Sequence, residues 1–308
     1  MTLDILREQR KPEDSLYLLV DPLANYPKND QLSIAFLLNS LGSDAITRIA
    51  RADLDHAPEQ WPVLIRLAAP GEASTKHLQL SGAHASRERF ANKHYICGWL
   101  LSAQPAEIIS QHLVQQCHTL QLTGERALAP WYEPIRLALL GMAMKNVGEL
   151  LGPIRIWSYP NLWGGITTLE TRPTSRPLVV PELAKEVQYF APQITQLLAA
   201  WHRLNGWQHT YAPWRFAGTN GLPNHAPSHA FNLIYDAHQR GLRGREDIQC
   251  LCLHRVLVHP LLLQHPVIQN DVEQAVSGKQ SLSSRFARYD DAAWKQIVSA
   301  LPEARSYS

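Results

Sequence analysis

Cysteine is scarce in this chain: four residues in 308, at positions 97, 117, 250 and 252. That number and spacing form no disulfide framework and suit a reducing compartment. No apolar run approaches the roughly 18 residues of a membrane span. The opening MTLDILREQRKPED has Asp4 inside it and lacks the uninterrupted apolar core of a signal peptide. A cytoplasmic protein is therefore expected. Charge is low at 18% and nearly balanced, with 29 basic against 27 acidic residues, which argues against nucleic acid or an anionic membrane as partner.

Chemical motifs are equally thin. No CxxC or HExxH is present, no GxGxxG follows a strand, and no GxSxG marks a nucleophile elbow. Ser277-Gly278-Lys279 lacks the upstream glycine of a phosphate loop and follows a helix instead of opening one. His225 and His229 are four residues apart, as are Cys250 and His254, with His259 and His265 beyond. Such spacing puts two ligands on one helix face, but a helix start at Pro227-Ser228 separates the first pair. Cys250 and Cys252 point in different directions on a helix. No metal site, cofactor or catalytic residue is expected. The rival reading is a metal-dependent or acid–base hydrolase using these C-terminal histidines with Glu133, after which the next acid in the sequence is Glu149. Glu133 also stands just before a proline-opened helix, where a negative charge offsets the helix dipole.

What is abundant is tryptophan, nine residues, and proline, 21. At 308 residues the chain has room for two domains of about 150 residues each. The stretch Tyr95 to Glu170 organises the first. Tyr95 to Leu101 is a continuous apolar strand. Pro105 opens a helix whose Ile108, Ile109, His112, Leu113, Gln116 and Leu120 follow three- and four-residue steps. ALAPWYEP reads as a strand ending at Trp131-Tyr132-Glu133. Pro134 starts a helix carrying Leu137, Leu140, Met144, Val147 and Leu151, with Gly152 as its stop. Ile154 to Tyr159 is another strand. Ser15 to Val20, closed by Asp21-Pro22, and Pro62 to Ala68 are strands; Gln31 to Leu41 is a helix; Ile46 to Arg51 is strand or helical turn; Glu72 to Lys93 is helix-prone, interrupted by Gly82. The alternation describes an α/β N-terminal lobe, a mixed sheet flanked by helices, over residues 1–172.

TRPTSRPLVVPE holds three prolines, making 173–182 the expected linker. Residues 183–308 read as an all-helical C-terminal lobe. Its expected helices are Glu182 to Leu204 with a kink at Pro192, Ser228 to Arg240, Glu246 to Val258, Pro266 to Ser277 and Asp290 to Leu301. Residues 205–227 form a long loop carrying Trp207, Tyr211, Trp214 and Phe216, which reads as cover for the helices or as a partner surface.

Several segments carry a family resemblance. They are SLYLLVDPLA, WPVLIRLA, the strand ending in WLLS, the helix AEIISQHL, the WYEP turn and GPIRIW. In order and spacing these resemble the effector-loading adaptors, or chaperones, of the type VI secretion system of Gram-negative bacteria. The WYEP turn departs from the family's usual form in having Pro130 before the aromatic and Glu133 before the proline. The resemblance implies a non-enzymatic cytoplasmic protein. It would bind a cognate toxin effector and load it onto the secretion spike, VgrG with a PAAR-type tip. Trp131, Tyr132, Glu133, Trp157 and Trp163, with Trp207 and Trp214 of the second lobe, are the expected contacts.

Overall fold

A computed structural model describes residues 3–74, 76–125, 127–173, 178–205 and 222–303. The chain begins with α1 (Asp4–Gln9), β1 (Ser15–Val20), α2 (Ile34–Leu41), β2 (Ile46–Arg48), β3 (Val63–Ala68), α3 (Lys76–Ala85), β4 (Ile96–Ser102) and α4 (Ala106–Thr119). It continues with α5 (Pro134–Ala143), β5 (Ile156–Pro160) and β6 (Ile166–Glu170). The strands form one six-stranded sheet in the order β2-β3-β1-β4-β5-β6. Every neighbouring pair is antiparallel, where a mixed sheet was expected.

Both faces of this sheet are covered. Along β1, Leu16, Leu18 and Val20 enter a core with Leu6 of α1, Leu37 of α2 and Leu78 of α3. Tyr17 and Leu19 enter a second core with Ile109 and Leu113 of α4 and Leu137 and Leu140 of α5. Side chains alternate between faces with period two, so the two cores lie on opposite sides of the strands. All six residues of β1 and all seven of β4 are buried. That double burial produced the continuous apolar runs of the sequence. Such runs are the habit of parallel strands covered on both faces, which is why the sheet type was misjudged.

The alternation along β4 is interrupted once. Ile96 belongs to the first core and Cys97 to the second, yet Trp99 returns to the first and Leu100 to the second. The register passes from Ile96 opposite Val20 to Gly98 opposite Leu19, so Cys97 is the extra residue of a bulge that Gly98 completes. The Gly98 φ of +145° suits glycine.

Some expectations fail locally. The stretch 128–133 is not a strand; it crosses irregularly from α4 to α5, tied by the Ala129 N–H to the Cys117 carbonyl at 3.4 Å. The helix begun by Pro134 stops at Ala143, because Met144 turns extended (φ −121°, ψ 138°). A separate 3₁₀ turn, Val147–Leu150, follows, capped by Asn146, whose side chain accepts the Gly148 N–H at 3.2 Å. Helix α3 passes through Gly82 without a break, and that glycine is packed against Leu3.

Compact units comprise Met1–Tyr189 and Phe190–Ser308. The division falls inside α6 (Glu182–Asn205), beyond the expected 173–182 linker, of which 174–177 lie outside the described residues. α6 runs helical through Pro192. The second unit continues with α7 (Ala226–Gln239), α8 (Arg245–Leu257), α9 (Pro266–Val276), α10 (Leu282–Phe286) and α11 (Asp291–Ser299). It is all-helical among the described residues, as expected. Ser228 does not cap α7: its hydroxyl donates back to the His225 carbonyl at 2.7 Å, and Pro227 occupies the first turn. Asp290 does cap α11, accepting the Ala293 N–H at 2.8 Å.

Candidate partner-binding site

The turn between β5 and β6 presents Trp163 to solvent, 40% exposed, while the preceding Leu162 is buried. The Asn161 side chain organises this turn. Its Oδ1 accepts the N–H groups of Trp163 at 3.1 Å and Gly165 at 2.9 Å. Its own backbone N–H donates to the Gly165 carbonyl at 3.0 Å, and the Gly164 N–H donates back to the Asn161 carbonyl at 3.2 Å. An Asx side chain that bonds forward in this way imposes the turn locally. Gly164 has φ +82°, and a Cβ there would sit 3.1 Å from Cζ of Arg89. Arg89 secures the turn from outside, Nε and Nη2 both donating to the Leu162 carbonyl at 3.3 Å. The guanidinium also lies 5.5 Å from the ring centroid of Phe90. The result is an indole held on a fixed backbone beside a cation.

The other aromatic candidates of the first unit are not surface residues. Trp131, Tyr132 and Trp157 are each 0% exposed. Trp131 and Trp157 pack edge to face, centroids 5.1 Å apart, and the Trp131 Nε1–H donates to the Leu113 carbonyl at 3.1 Å. Arg51 donates to the Tyr132 hydroxyl at 2.9 Å and is also paired with Asp53. Burial pushes the Tyr132 phenol well above its ordinary pKa. The expectation that these three rings contact a partner is corrected. Large aromatic rings bury 150–250 Å² each, and here that area closes the core beneath α4 and α5.

Glu133 is also interior, as part of a cluster the sequence did not signal. Its carboxylate accepts Arg136 Nε at 2.9 Å and pairs with Lys93. Lys93 Nζ lies 2.9 Å from Asp21 Oδ2, close enough for an ion pair although not well directed for a hydrogen bond. Arg136 continues to α6, Nη1 donating to the Gln188 carbonyl at 2.6 Å while Gln188 Nε2 returns a bond to the Arg136 carbonyl at 3.1 Å. Burial pushes the Glu133 carboxyl up, but Arg136 and Lys93 outweigh it and hold the pKa below the usual range. Asp21 goes the other way: burial dominates, Lys93 opposes, and its pKa is raised. For Lys93 burial favours the neutral amine, yet Glu133 and Asp21 prevail and raise its pKa. Two acids and two bases thus neutralise one another at the end of β1, before β4, and at the start of α5. Asp21, Lys93 and Arg136 are distant in sequence or carry no motif, so only the fold reveals them.

The histidines of the second unit disperse. His225 and His229 are 6.1 Å apart between ring centroids, and burial, aided by His225 and Arg255, lowers the His229 pKa to about 4. His254 Nδ1 meets the Cys250 carbonyl at 2.8 Å, and its ring stacks on Trp294 at 5.1 Å. His259 accepts the Leu261 N–H at 3.1 Å. Burial pushes the Cys250 thiol up to about 12. Among the described residues no three His, Cys, Asp or Glu side chains are grouped to hold a metal ion. Trp207 and Trp214 lie outside the described residues. No helix among the described residues is long and apolar enough to cross a membrane.

These features define a two-unit chain: a doubly covered antiparallel α/β sheet and a helical unit. No protein family, curated protein or solved structure matches the chain.

Proposed function

We propose that this chain is a non-catalytic cytoplasmic adaptor that binds a cognate toxin effector of a type VI secretion system and loads it onto the VgrG/PAAR spike. The observation that carries the reading is Trp163, an exposed indole on a turn already fixed by Asn161 and Arg89. An aromatic anchor held in place loses little freedom on association, so more of its burial energy appears as affinity. The sequence segments that resemble the adaptor family supply the identity of the partner. The turn supplies a physical means of holding one.

The test is co-expression with the toxin encoded beside this chain, followed by co-purification. Wild-type protein is expected to retain the toxin and Trp163→Ala to lose it. Retention by the alanine variant would refute the Trp163 surface. Stoichiometric zinc in the purified protein would overturn the adaptor reading in favour of a hydrolase.

A further inference from the structure

Asp21 follows β1 directly, and its N–H donates to the Tyr95 carbonyl at 2.8 Å, two residues beyond Lys93. The Lys93 Nζ lies 2.9 Å from Asp21 Oδ2, an oxygen that is fully buried and has no hydrogen-bond partner among the described residues. The carboxyl carbon Cγ is one C–O bond, about 1.2 Å, beyond that oxygen. The second carboxyl oxygen, Oδ1, accepts the Leu23 N–H at 3.0 Å, which fixes the orientation of the group. Glu133 meets the same Lys93 Nζ, and its other oxygen accepts Arg136 Nε at 2.9 Å. An ordinary buried ion pair directs charge-assisted hydrogen bonds at its partner's oxygens. Here Lys93 directs one to Glu133 and only abuts Asp21.

The parts of an amide condensation are therefore assembled in one buried place. We propose that Lys93 and Asp21 join through an intramolecular isopeptide bond, with Glu133 carrying the protons. Glu133 takes a proton from the Lys93 ammonium, as a carboxylate in contact with it can. The freed Nζ lone pair attacks Cγ of the protonated Asp21 carboxyl, and the Leu23 N–H stabilises the negative charge that develops on Oδ1. Glu133 then gives its proton to Oδ2, the Cγ–Oδ2 bond breaks, and water leaves. Nitrogen sheds its remaining extra proton to Glu133, which returns it to solvent. One ammonium and one carboxylic acid thus become one amide, one water and one proton. Burial raises the Asp21 pKa, which supplies the protonated carboxyl whose hydroxyl can leave. Lys93 holds its proton firmly, which makes the reaction slow, while fixed contact supplies the effective concentration that drives it. Until the bond forms, Asp21 and Lys93 titrate as the ion pair described above. The inference stands apart from the adaptor reading, since it uses neither Trp163 nor a protein partner.

The experiment is intact-mass spectrometry of the full chain, incubated folded at neutral and at mildly alkaline pH and then denatured. A species lighter by one water is expected to grow with time beside the sequence mass. Protease digestion should yield from it a branched fragment in which the segments around Asp21 and Lys93 are joined. The fragment is decisive, because other acids can lose water by closing on their own backbone. Asp21 itself has no such route, since the Pro22 nitrogen carries no hydrogen. Lys93→Arg, which keeps the charge, is expected to abolish the joined fragment, and Glu133→Gln to abolish or greatly slow it. Circular dichroism on the same samples confirms that each variant is folded. Sequence mass alone in wild type at both pH values would overturn the inference and leave an ion pair only. A lighter species without the joined fragment, or an undiminished fragment in folded Glu133→Gln, would overturn the bond or the role of Glu133 respectively.

Discussion

Gly98 lies so close to Trp157 that a Cβ on it would come within 2.5 Å of the indole Nε1 and 2.6 Å of the Ser158 carbonyl oxygen. The bulge that returns Trp99 to its core therefore depends on a residue without a side chain. Gly98→Ala is expected to cost about 3 kcal/mol or more, combining backbone strain of roughly 1–3 kcal/mol with overpacking of similar size. Equilibrium urea denaturation would measure it, and a change below 1 kcal/mol, the low end of those ranges, would show that the sheet yields more easily than close packing implies.

Glu133→Gln leaves Lys93 and Arg136 short of a carboxylate, and breaking a buried pair costs about 3–5 kcal/mol. Its pH dependence has a definite sign. The folded pKa of Glu133 lies below its unfolded value, so its contribution is present above about pH 4.3 and is lost as pH falls through the lowered folded pKa. Asp21, with a raised pKa, favours the folded state in the opposite sense on acidification. The acid limb of a stability–pH curve should thus be flatter in Glu133→Gln than in wild type. An unchanged limb would assign acid sensitivity elsewhere.

Lys93 sets the alkaline side. Its folded pKa is raised, so its contribution is complete below about pH 10.4 and disappears as pH climbs through the folded value. In Lys93→Met this loss above pH 10 should vanish from a curve already lowered at neutral pH. A wild-type-like fall would mean that tyrosine ionisation governs that range instead.

His229 should make the helical unit acid-sensitive in a milder range. Its pKa falls from about 6.5 unfolded to about 4 folded, so stability should decline from pH 6.5 towards pH 4 as the unfolded chain takes up a proton first. The full loss is at most about 3 kcal/mol, reduced by partial solvent access. Thermal melts at steps between these pH values should lose that slope in His229→Gln.

Trp163→Ala should leave stability within about 0.5 kcal/mol of wild type, as surface substitutions do. Partner affinity should nevertheless fall by at least about 2 kcal/mol, some thirtyfold, if the indole is an anchor. Denaturation and binding measured on the same preparation separate the two effects. Equal losses in both would make the residue structural.

The local pattern was legible wherever one element speaks for itself. β1 was legible to the residue because Asp21-Pro22 ends an apolar run, and the expected helix Asp290 to Leu301 contains α11. The stretch 128–133 was misread because apolar residues beside a proline describe a strand and an irregular core crossing equally well. Trp131 and Trp163 are the same residue type, yet one lies beneath α4 and the other on a turn tip. Gly164-Gly165 is a local feature that suits a turn, but nothing along that segment disclosed that Arg89 would brace it.

Composition and short-range pattern thus determined most of the helices and strands, the helical second half and the scarcity of metal or nucleotide motifs, because propensity and periodicity act over a few residues. Tertiary structure decided the antiparallel pairing, the joining of Asp21, Lys93, Glu133 and Arg136, and which tryptophans meet water. Those outcomes depend on which distant segments approach one another. Burial and ion pairing are properties of that approach, and no window along the chain contains both partners.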